Sequence, residues 1–358
     1  MTQPDPSNAT PPASGQGHLG ELATGVAIAL LLSHALAGEH LEHAAARHAV
    51  APVRAAASGL TAWVAREWVS RFGSLTAPID PVQWAALQPD ITQRLRAVQP
   101  ASPADTLRDY AVRAQRMGTR QGAQDLAVKP PDTLPLPVSY YQWADTAAEH
   151  ITKRYDAAER LLGTQPVTTH ADVVTALAPT HAAGSDVERD ARTLVNTALN
   201  QGLHDVADQH AAELLWVSEK DACVVCAALS GTVVGTDEDF PADATFGRNP
   251  TSWWQPEGHV GPLRPPRHPR CRCRCEPWFG HAGPPGSLTL PQALKREAKR
   301  AVILGWALES EPDSVRRDAA ARLLAKGTSL PKSVVARAKR RVASDGKFKR
   351  PVPTGDGK

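Results

Sequence analysis

The pattern of apolar and polar residues in the first part of the chain is typical of amphipathic helices. One apolar stripe recurs every four residues, at Leu60, Val64, Trp68 and Phe72. Residues four apart lie on one face of an α-helix, so the stripe predicts a helix that packs against others. The segment 26–36 is almost entirely apolar and predicts a helix buried in a bundle. These patterns predict a helical region over 17–127.

Helical spacing returns after residue 139. Apolar residues are spaced by three and four at Tyr141, Ala144, Ala148 and Ile151. They predict a helix from about 140 to 162. A polar interruption at 179–185 follows, and Ser185 or Asp186 has the side chain of a helix N-cap. A new long helix is therefore expected to begin after the interruption.

Segments rich in proline separate these patterns into domains. Four prolines lie within 128–138, and proline lacks the backbone donor that a helix needs. The polar, proline-rich amino terminus predicts disorder. The predicted order is a disordered tail at 1–16, the helical region at 17–127, a linker at 128–138, a domain at 139–278 with its core at 186–277, a second linker at 279–288 and a basic helical tail at 289–358.

The composition of the chain agrees with this picture. A length of 358 residues suggests two or three domains. Alanine and arginine abound, while aromatic residues make up only 5%, a balance that favours helices. The predicted fold class is mainly α, with a helical N-terminal region, a small α+β core containing Cys and His residues, and a basic helical tail.

Charge is distributed unevenly along the chain. The net charge is +3, but 291–358 contains 17 Lys and Arg against 7 Asp and Glu, so this segment carries +10 and the remainder −7. A basic end on an acidic body indicates a separate partner, with double-stranded DNA as one candidate. The basic residues cluster at Lys299, Arg300, Arg316, Arg317, Lys339, Arg340, Arg341, Lys347, Lys349 and Arg350. Among them, we expect Lys299, Arg300, Lys339, Arg340 and Arg341 to bind nucleic acid or another partner.

All five cysteines lie in one stretch, between Cys223 and Cys275. An odd, clustered set does not fit a disulfide framework and favours reduced thiols that bind metal. A Cys-x2-Cys pair, Cys223 and Cys226, is followed much later by His268-x2-Cys271. Two such pairs can fill the four tetrahedral positions of a structural zinc. We predict a zinc site formed by Cys223, Cys226, His268 and Cys271, with Cys273 as the substitute ligand.

The same stretch carries a longer motif, W-x4-D-x-C-x2-C-x2-L-x-G followed by P-P-x-H-P-x-C-R-C. This motif resembles the head-morphogenesis domain of the phage Mu F-like family over about 186–277. The motif residues outside the ligand set are Trp216, Asp221, Leu229, Gly231, Pro266, Pro269 and Arg272. The resemblance implies a minor capsid protein of a tailed phage or prophage, acting near the portal in head assembly or DNA packaging. It also implies portal and capsid proteins as partners, and a path from the host cytoplasm to the virion head.

Two details of this stretch predict local structure. In a strand, Cys271-Arg-Cys-Arg-Cys275 would direct its three sulfurs to one face and its two guanidiniums outward. The resemblance further implies a structural partner for Arg272 and Arg274, such as an acidic residue or the portal. The adjacent residues Trp253 and Trp254 would form an interaction patch if exposed and a lid on the metal core if buried. Because they are costly to expose to water, we expect the lid.

Two other functions fit parts of the sequence. Cys223 and His268 could form the thiol dyad of a hydrolase such as a head-maturation protease, or a catalytic zinc could use a nearby carboxylate. The chain shows no Gly-x-Ser-x-Gly, His-Glu-x-x-His or P-loop motif, and we expect no enzymatic activity. DNA binding through the basic tail is the other alternative. The apolar run 23–32 is shorter than the ~20 residues that span a bilayer, so no membrane partner is expected.

Overall fold

The computed structural model describes residues 14–132, 134–248, 253, 262–280, 289–305 and 311–328. Within these ranges the chain forms eight helices: α1 Ser14–Phe72, α2 Pro81–Ala97, α3 Ala104–Asp125, α4 Val138–Thr164, α5 His170–Gln209, α6 Val224–Leu229, α7 Leu290–Leu304 and α8 Asp313–Ala325. Three strands, β1 Glu213–Val217, β2 Val233–Val234 and β3 Arg274–Trp278, form one sheet in the order β2-β1-β3. The prediction of a mainly α fold with a small α+β part is confirmed.

Several predicted segments lie wholly or partly outside the described residues. They include most of the tail at 1–16, residues 281–288 of the second linker, and the stretch 329–358 with Lys339, Arg340 and Arg341. Residues 14–16 of the predicted tail belong to α1. None of the helices in the described ranges is both long and apolar enough to cross a bilayer.

The chain divides into two compact units. The first, here called the sheet unit, comprises Met1–Ala37, Ala207–Ser252 and Cys275–Lys358. The second, the bundle unit, comprises Gly38–Val206 and Trp253–Arg274. The bundle unit contains α2, α3, α4 and most of α1 and α5, whereas the sheet unit contains the small sheet and α6, α7 and α8.

The apolar stripe of α1 forms part of the core of the bundle unit. Leu60, Val64 and Trp68 are fully buried, and the Trp68 ring meets the edge of Phe72 at a centroid distance of 5.1 Å. Removing such side chains from water is the main favourable contribution to folding. The prediction of a packed helix at this stripe is therefore confirmed.

Helix α2 begins where the sequence provides a capping box. Asp80 Oδ1 accepts hydrogen bonds from the backbone N–H groups of Val82 and Gln83, both at 2.8 Å. Gln83 Oε1 accepts in return from the backbone N–H of Asp80 at 2.9 Å. These bonds satisfy donors that the first helical turn leaves unpaired. They fix the start of a helix that buries Leu87, Ile91 and Leu95.

Helices α3 and α5 cross at two glycines. A Cβ atom at Gly118 would lie 2.1 Å from the Leu199 carbonyl oxygen, and one at Gly202 would lie 2.1 Å from the Gln115 carbonyl oxygen. Real Cβ atoms do not approach backbone this closely. Each helix therefore needs a residue without a side chain at the crossing, where the two backbones meet.

Helix α5 is continuous from His170 to Gln209, so the predicted break at 179–185 is wrong. Pro179 lies inside the helix. The side chain of Thr180 is fully buried and donates from Oγ1 to the Leu177 carbonyl oxygen at 2.8 Å. Because the flanking residues Leu177 and Ala183 are also fully buried, packing in the core outweighs the cost of proline in a helix.

Helix α4 is confirmed at the predicted place, but its buried face is rotated from the predicted stripe. The buried residues include Tyr140, Trp143, Ala144, Ala147 and Ile151, whereas Tyr141 and Ala148 are only partly buried. Both stripes have helical spacing, so periodicity alone does not distinguish them. The larger Trp143 ring favours the observed face.

The segment 26–36 is helical, but the expectation that it is buried is wrong for much of its surface. Leu31 and His34 are buried in the sheet unit, whereas Leu32 is 46% and Leu36 57% exposed. Leu31 packs with Leu215 and Val217 of β1. One face of this part of α1 therefore contacts the core, and the other faces outward.

Strands β1 and β2 of the sheet unit pair antiparallel, with Leu214 opposite Val234 and Leu215 opposite Val233. Helices α7 and α8 pack on α6 in a second apolar cluster. This cluster contains Val224, Val225, Ala227, Ala298, Val302, Ile303, Leu304, Ala319, Ala320 and Leu323. The first helices of the basic segment thus form a shared core with the Cys-x2-Cys helix.

Candidate metal centre

The first cysteine pair lies at the start of α6. Cys223 is the N-cap residue of this helix, and its Sγ accepts a hydrogen bond from the backbone N–H of Cys226 at 3.5 Å. The two sulfur atoms lie within 4.8 Å of each other. A backbone N–H that points at a sulfur stabilises the thiolate form, which is the form that binds metal.

The residues that precede and follow this pair shape its surroundings. Trp216 of β1 is fully buried and meets Phe240 edge to face at a centroid distance of 5.1 Å. Leu229, the last residue of α6, is also fully buried. Gly231 has φ +74°, and a Cβ there would lie 2.0 Å from the Pro291 carbonyl oxygen. These motif residues therefore fill the core and permit a close backbone approach, while Asp221 is partly buried.

A buried ion pair contacts the backbone next to Cys223. Arg316 Nε lies 2.7 Å from Glu311 Oε2, and the two side chains are 1% and 8% exposed. Arg316 Nη2 donates to the Ala222 carbonyl oxygen at 2.6 Å, and Glu311 Oε1 accepts from the Val224 N–H at 2.9 Å. Burial lowers the pKa of the Arg316 guanidinium, whereas the charges of Glu311, Cys223 and Asp221 oppose this shift.

The second set of candidate ligands lies on the loop before β3, in the bundle unit. The backbone N–H of Cys271 donates to the His268 carbonyl oxygen at 2.9 Å, which closes a turn between these residues. His268 Nδ1 lies 3.0 Å from the Pro269 carbonyl oxygen, so Nδ1 carries the proton and Nε2 the lone pair that a metal binds. The sulfur atoms of Cys271 and Cys273 lie within 4.8 Å of each other.

Helix α5 holds this loop through buried polar side chains. The backbone N–H of Arg270 donates to Thr193 Oγ1 at 3.0 Å, and Asn200 Nδ2 donates to the Cys273 carbonyl oxygen at 3.2 Å. Thr193 is 1% and Asn200 3% exposed. Because buried polar groups are costly unless paired, these bonds fix the loop on the helix. Nothing in the sequence marks either residue as part of a site.

The two arginines of the loop differ from each other. Arg272 Nη1 lies 3.1 Å from Glu39 Oε1, so the expected acidic partner is present in the bundle unit. Arg274 is buried, which corrects the expectation that both guanidiniums point outward. The strand begins only at Arg274 and not at Cys271, so the alternation expected of a strand does not apply to the first part of the segment.

Trp253 is partly buried and covers Arg267. The Arg267 guanidinium carbon lies 4.5 Å from the centre of the Trp253 ring, and Trp253 Nε1 donates to the Arg264 carbonyl oxygen at 3.2 Å. Arg267 itself is fully buried. The ring thus stabilises a buried cation on the loop that contains His268. Its neighbour Trp254 lies outside the described residues.

The buried cysteines Cys226, Cys271 and Cys273 could hold a metal ion. The cysteine-rich part of the metal prediction is therefore supported as a possible metal site, and thiolate ligands suit zinc and other soft or borderline ions. Among the remaining motif residues, Pro266 is buried and follows a cis peptide bond, whereas Pro269 is exposed. The fifth cysteine, Cys275, is fully buried in β3.

The described basic residues are in two different environments. Lys299 and Arg300 of α7 are partly exposed, and Arg300 Nη1 lies 3.6 Å from Glu297 Oε1. Lys295 and Arg296 are exposed on the same helix. Arg316 is buried with Glu311, so it does not belong to the basic surface that its position beside Arg317 suggested.

Comparison of the chain with protein-family profiles, with curated proteins and with solved structures finds no match.

Proposed function

We propose that the two cysteine-containing segments share one structural zinc ion. The ligands are Cys223, Cys226, His268 and Cys271, with Cys273 as the substitute. The donor inventory supports this assignment, because zinc takes four N or S ligands and each segment supplies two or three. The tautomer of His268 and the N–H bond to Cys223 Sγ both favour metal-binding forms of these side chains.

We infer that the protein is a structural component of phage heads, a minor capsid protein that acts near the portal in assembly. The motif that resembles Mu F-like proteins supports this role most directly, because its residues have structural tasks in the fold. Trp216 and Leu229 fill the core, Gly231 permits a close backbone approach, and Arg272 pairs with Glu39. A motif used in this way suits a module that holds a shape for partner proteins.

The zinc assignment predicts about one zinc per chain in protein purified from a reducing cytoplasm, because closed thiolate–imidazole sites bind zinc tightly. Cys223→Ser should lose the zinc and lower the free energy of unfolding, since metal binding of this kind contributes to folding. Metal analysis and urea unfolding measure these effects. Cys275→Ala is the control, because this buried cysteine lies outside the assigned ligands and should leave the zinc content unchanged. Zinc-free parent protein with oxidised cysteines would refute the assignment.

The assembly role predicts that the protein is found in heads. Particles induced from the strain that carries this chain should contain it at a low copy number, close to that of the portal protein. Quantitative mass spectrometry of purified heads and head precursors measures this ratio. Absence of the chain from both particle types, with the portal present, would contradict the assignment.

A further inference from the structure

One buried ion pair holds the backbone on both sides of Cys223. The peptide group before this cysteine gives its carbonyl oxygen, at Ala222, to Arg316 Nη2 at 2.6 Å. The peptide group after it gives its N–H, at Val224, to Glu311 Oε1 at 2.9 Å. The cation donates to a carbonyl oxygen and the carboxylate accepts from an N–H. The ion pair therefore contacts the backbone on both sides of the proposed metal ligand.

The burial of this ion pair indicates that Arg316 and Glu311 do more than attract each other. Two charges that are 1% and 8% exposed lose most of their hydration, and attraction alone seldom offsets that loss. Here one further atom of each side chain, Arg316 Nη2 and Glu311 Oε1, is directed at a peptide group beside Cys223. A surface arrangement such as Arg300 with Glu297 has no such requirement, because both side chains stay about half exposed.

The same pair connects the cysteine turn to α8. Arg316 lies in the first turn of this helix. Ala319, Ala320 and Leu323 on its next turns are buried in the same apolar cluster as Val224 and other residues of α6. A movement of α8 away from α6 would therefore separate Arg316 from the Ala222 carbonyl. A change in the turn at Cys223 would in turn remove partners from a buried charge.

We propose that Glu311 and Arg316 are positioning residues of the metal centre, which fix the Cys223 backbone in ligand geometry and couple metal binding to the docking of α8. The proposal rests on the structural zinc described above. The coupling acts in both directions, because two linked equilibria change each other by the same factor. Metal binding should therefore slow hydrogen exchange in α8, and weaker packing of α8 should lower the affinity for metal.

The first test measures how fast full-length protein releases zinc to a coloured chelator. Mutation of a residue that hydrogen-bonds to a metal ligand typically lowers metal affinity by about 10–100-fold. The double variant Glu311→Gln with Arg316→Met removes both charges together and leaves no single charge buried. It should release zinc at least about tenfold faster than the parent. The single variant Glu311→Gln keeps an oxygen acceptor for the Val224 N–H, so it should change release less than Glu311→Ala.

The matched control is Arg300→Met, which breaks an ion pair on the exposed side of α7. An unchanged release rate in a folded double variant, or an equal change in this control, would overturn the positioning role. A parent protein that holds no zinc at the outset would refute the zinc proposal itself and the positioning role with it. Zinc in the parent with unchanged release in the variants would refute the positioning role alone.

The second test uses the unmodified chain, so it does not depend on the folding of any variant. Hydrogen exchange is followed for α8, Asp313–Ala325, before and after a chelator removes zinc. The amides of α8 should exchange at least about tenfold faster after zinc removal, while those of α2 in the bundle unit change less. Equal exchange of α8 in the two states would overturn the coupling.

Discussion

Single glycines decide how closely two helices of the bundle unit approach. At Gly202 a Cβ would lie 2.1 Å from the Gln115 carbonyl oxygen and 2.7 Å from the Thr119 nitrogen. Both atoms belong to backbone, which cannot move aside as a flexible side chain can. Gly202→Ala should therefore lower the free energy of unfolding by about 1–3 kcal/mol, the usual range for overpacking a core. Urea unfolding of the zinc-loaded protein measures the change.

Gly59→Ala is the control for this substitution. Gly59 is an exposed residue within α1, and a Cβ there meets no atom within 4 Å. Because alanine loses less backbone entropy in a helix, this change should raise the free energy of unfolding by about 0.5–1 kcal/mol. Equal effects at the two glycines would mean that the helix crossing is looser than its geometry indicates.

The candidate metal centre shows which residues a sequence can reveal. Cys223 and Cys226 are close in sequence, and a turn brings such a pair together whatever the rest of the fold does. Glu311 and Arg316 contact the same turn from about 90 residues further along the chain. A Glu and an Arg in a charged segment have no spacing that marks them as buried. Their role depends on the packing of α8, which only the structure shows.

At the scale of elements, a network of charged side chains joins α4 to α5 in the bundle unit. Asp186 Oδ2 lies 2.7 Å from Arg154 Nε, and Asp186 Oδ1 lies 3.1 Å from Arg189 Nη1. Burial by itself raises the pKa of the Asp186 carboxyl. The hydrogen bond and charge of Arg154, together with the charge of Arg189, outweigh this effect and hold the pKa below its ordinary value.

This lowered pKa predicts how the Asp186 contribution depends on pH. A carboxyl whose pKa is lower in the folded state stabilises it above the unfolded pKa, about 3.9 for Asp, and loses that effect as pH falls through the folded pKa. The destabilisation caused by Asp186→Asn should thus be largest at neutral pH and shrink below about pH 4. Urea unfolding at a series of pH values measures the difference between parent and variant.

Asp105→Asn serves as the control in this series. Asp105 pairs with Arg108, but its side chain is 95% exposed, so water screens the interaction. This variant should differ little from the parent at any pH. A destabilisation by Asp186→Asn that stays constant down to strongly acidic pH would contradict the assigned shift.

The elements also show where periodicity succeeds as a predictor. The stripe of α1 from Leu60 to Trp68 is buried as predicted, because spacing by four fixes one face of a helix. The same approach gives a wrong helix break in α5. Proline and glycine near Pro179 indicate an interruption, but the buried face of the helix continues through it. In this helix the burial of Leu177 and Ala183 in the core outweighs the local signals for a helix end.

At the scale of the whole molecule, charge is separated along the sequence. The segment 291–358 carries +10 and the remainder −7. The two parts therefore attract different partners and repel different ones. Arg316 is buried with Glu311 and contributes nothing to a basic surface. Lys295, Arg296, Lys299 and Arg300 are the exposed or partly exposed cations on α7. The basic clusters Lys339 to Arg341 and Lys347 to Arg350 lie outside the described residues.

This distribution predicts that the full-length protein binds duplex DNA of any sequence at low salt. Phosphate contacts release counterions, so affinity should fall steeply as salt is raised. Replacement of Lys339, Arg340 and Arg341 by Glu should weaken binding and lower the slope of log affinity against log salt by about three, close to one for each phosphate that is no longer neutralised. Fluorescence anisotropy over a salt series measures both quantities.

The control for DNA binding reverses the same number of charges elsewhere. Arg113, Arg116 and Arg120 are exposed on α3 in the bundle unit, outside the basic segment. Their replacement by Glu changes the net charge equally, so it should weaken long-range attraction but preserve most of the salt slope. Equal slopes in both triple variants would indicate a diffuse effect of net charge. If the parent binds no DNA even at low ionic strength, the +10 segment instead fits an acidic protein surface, such as that of a head component.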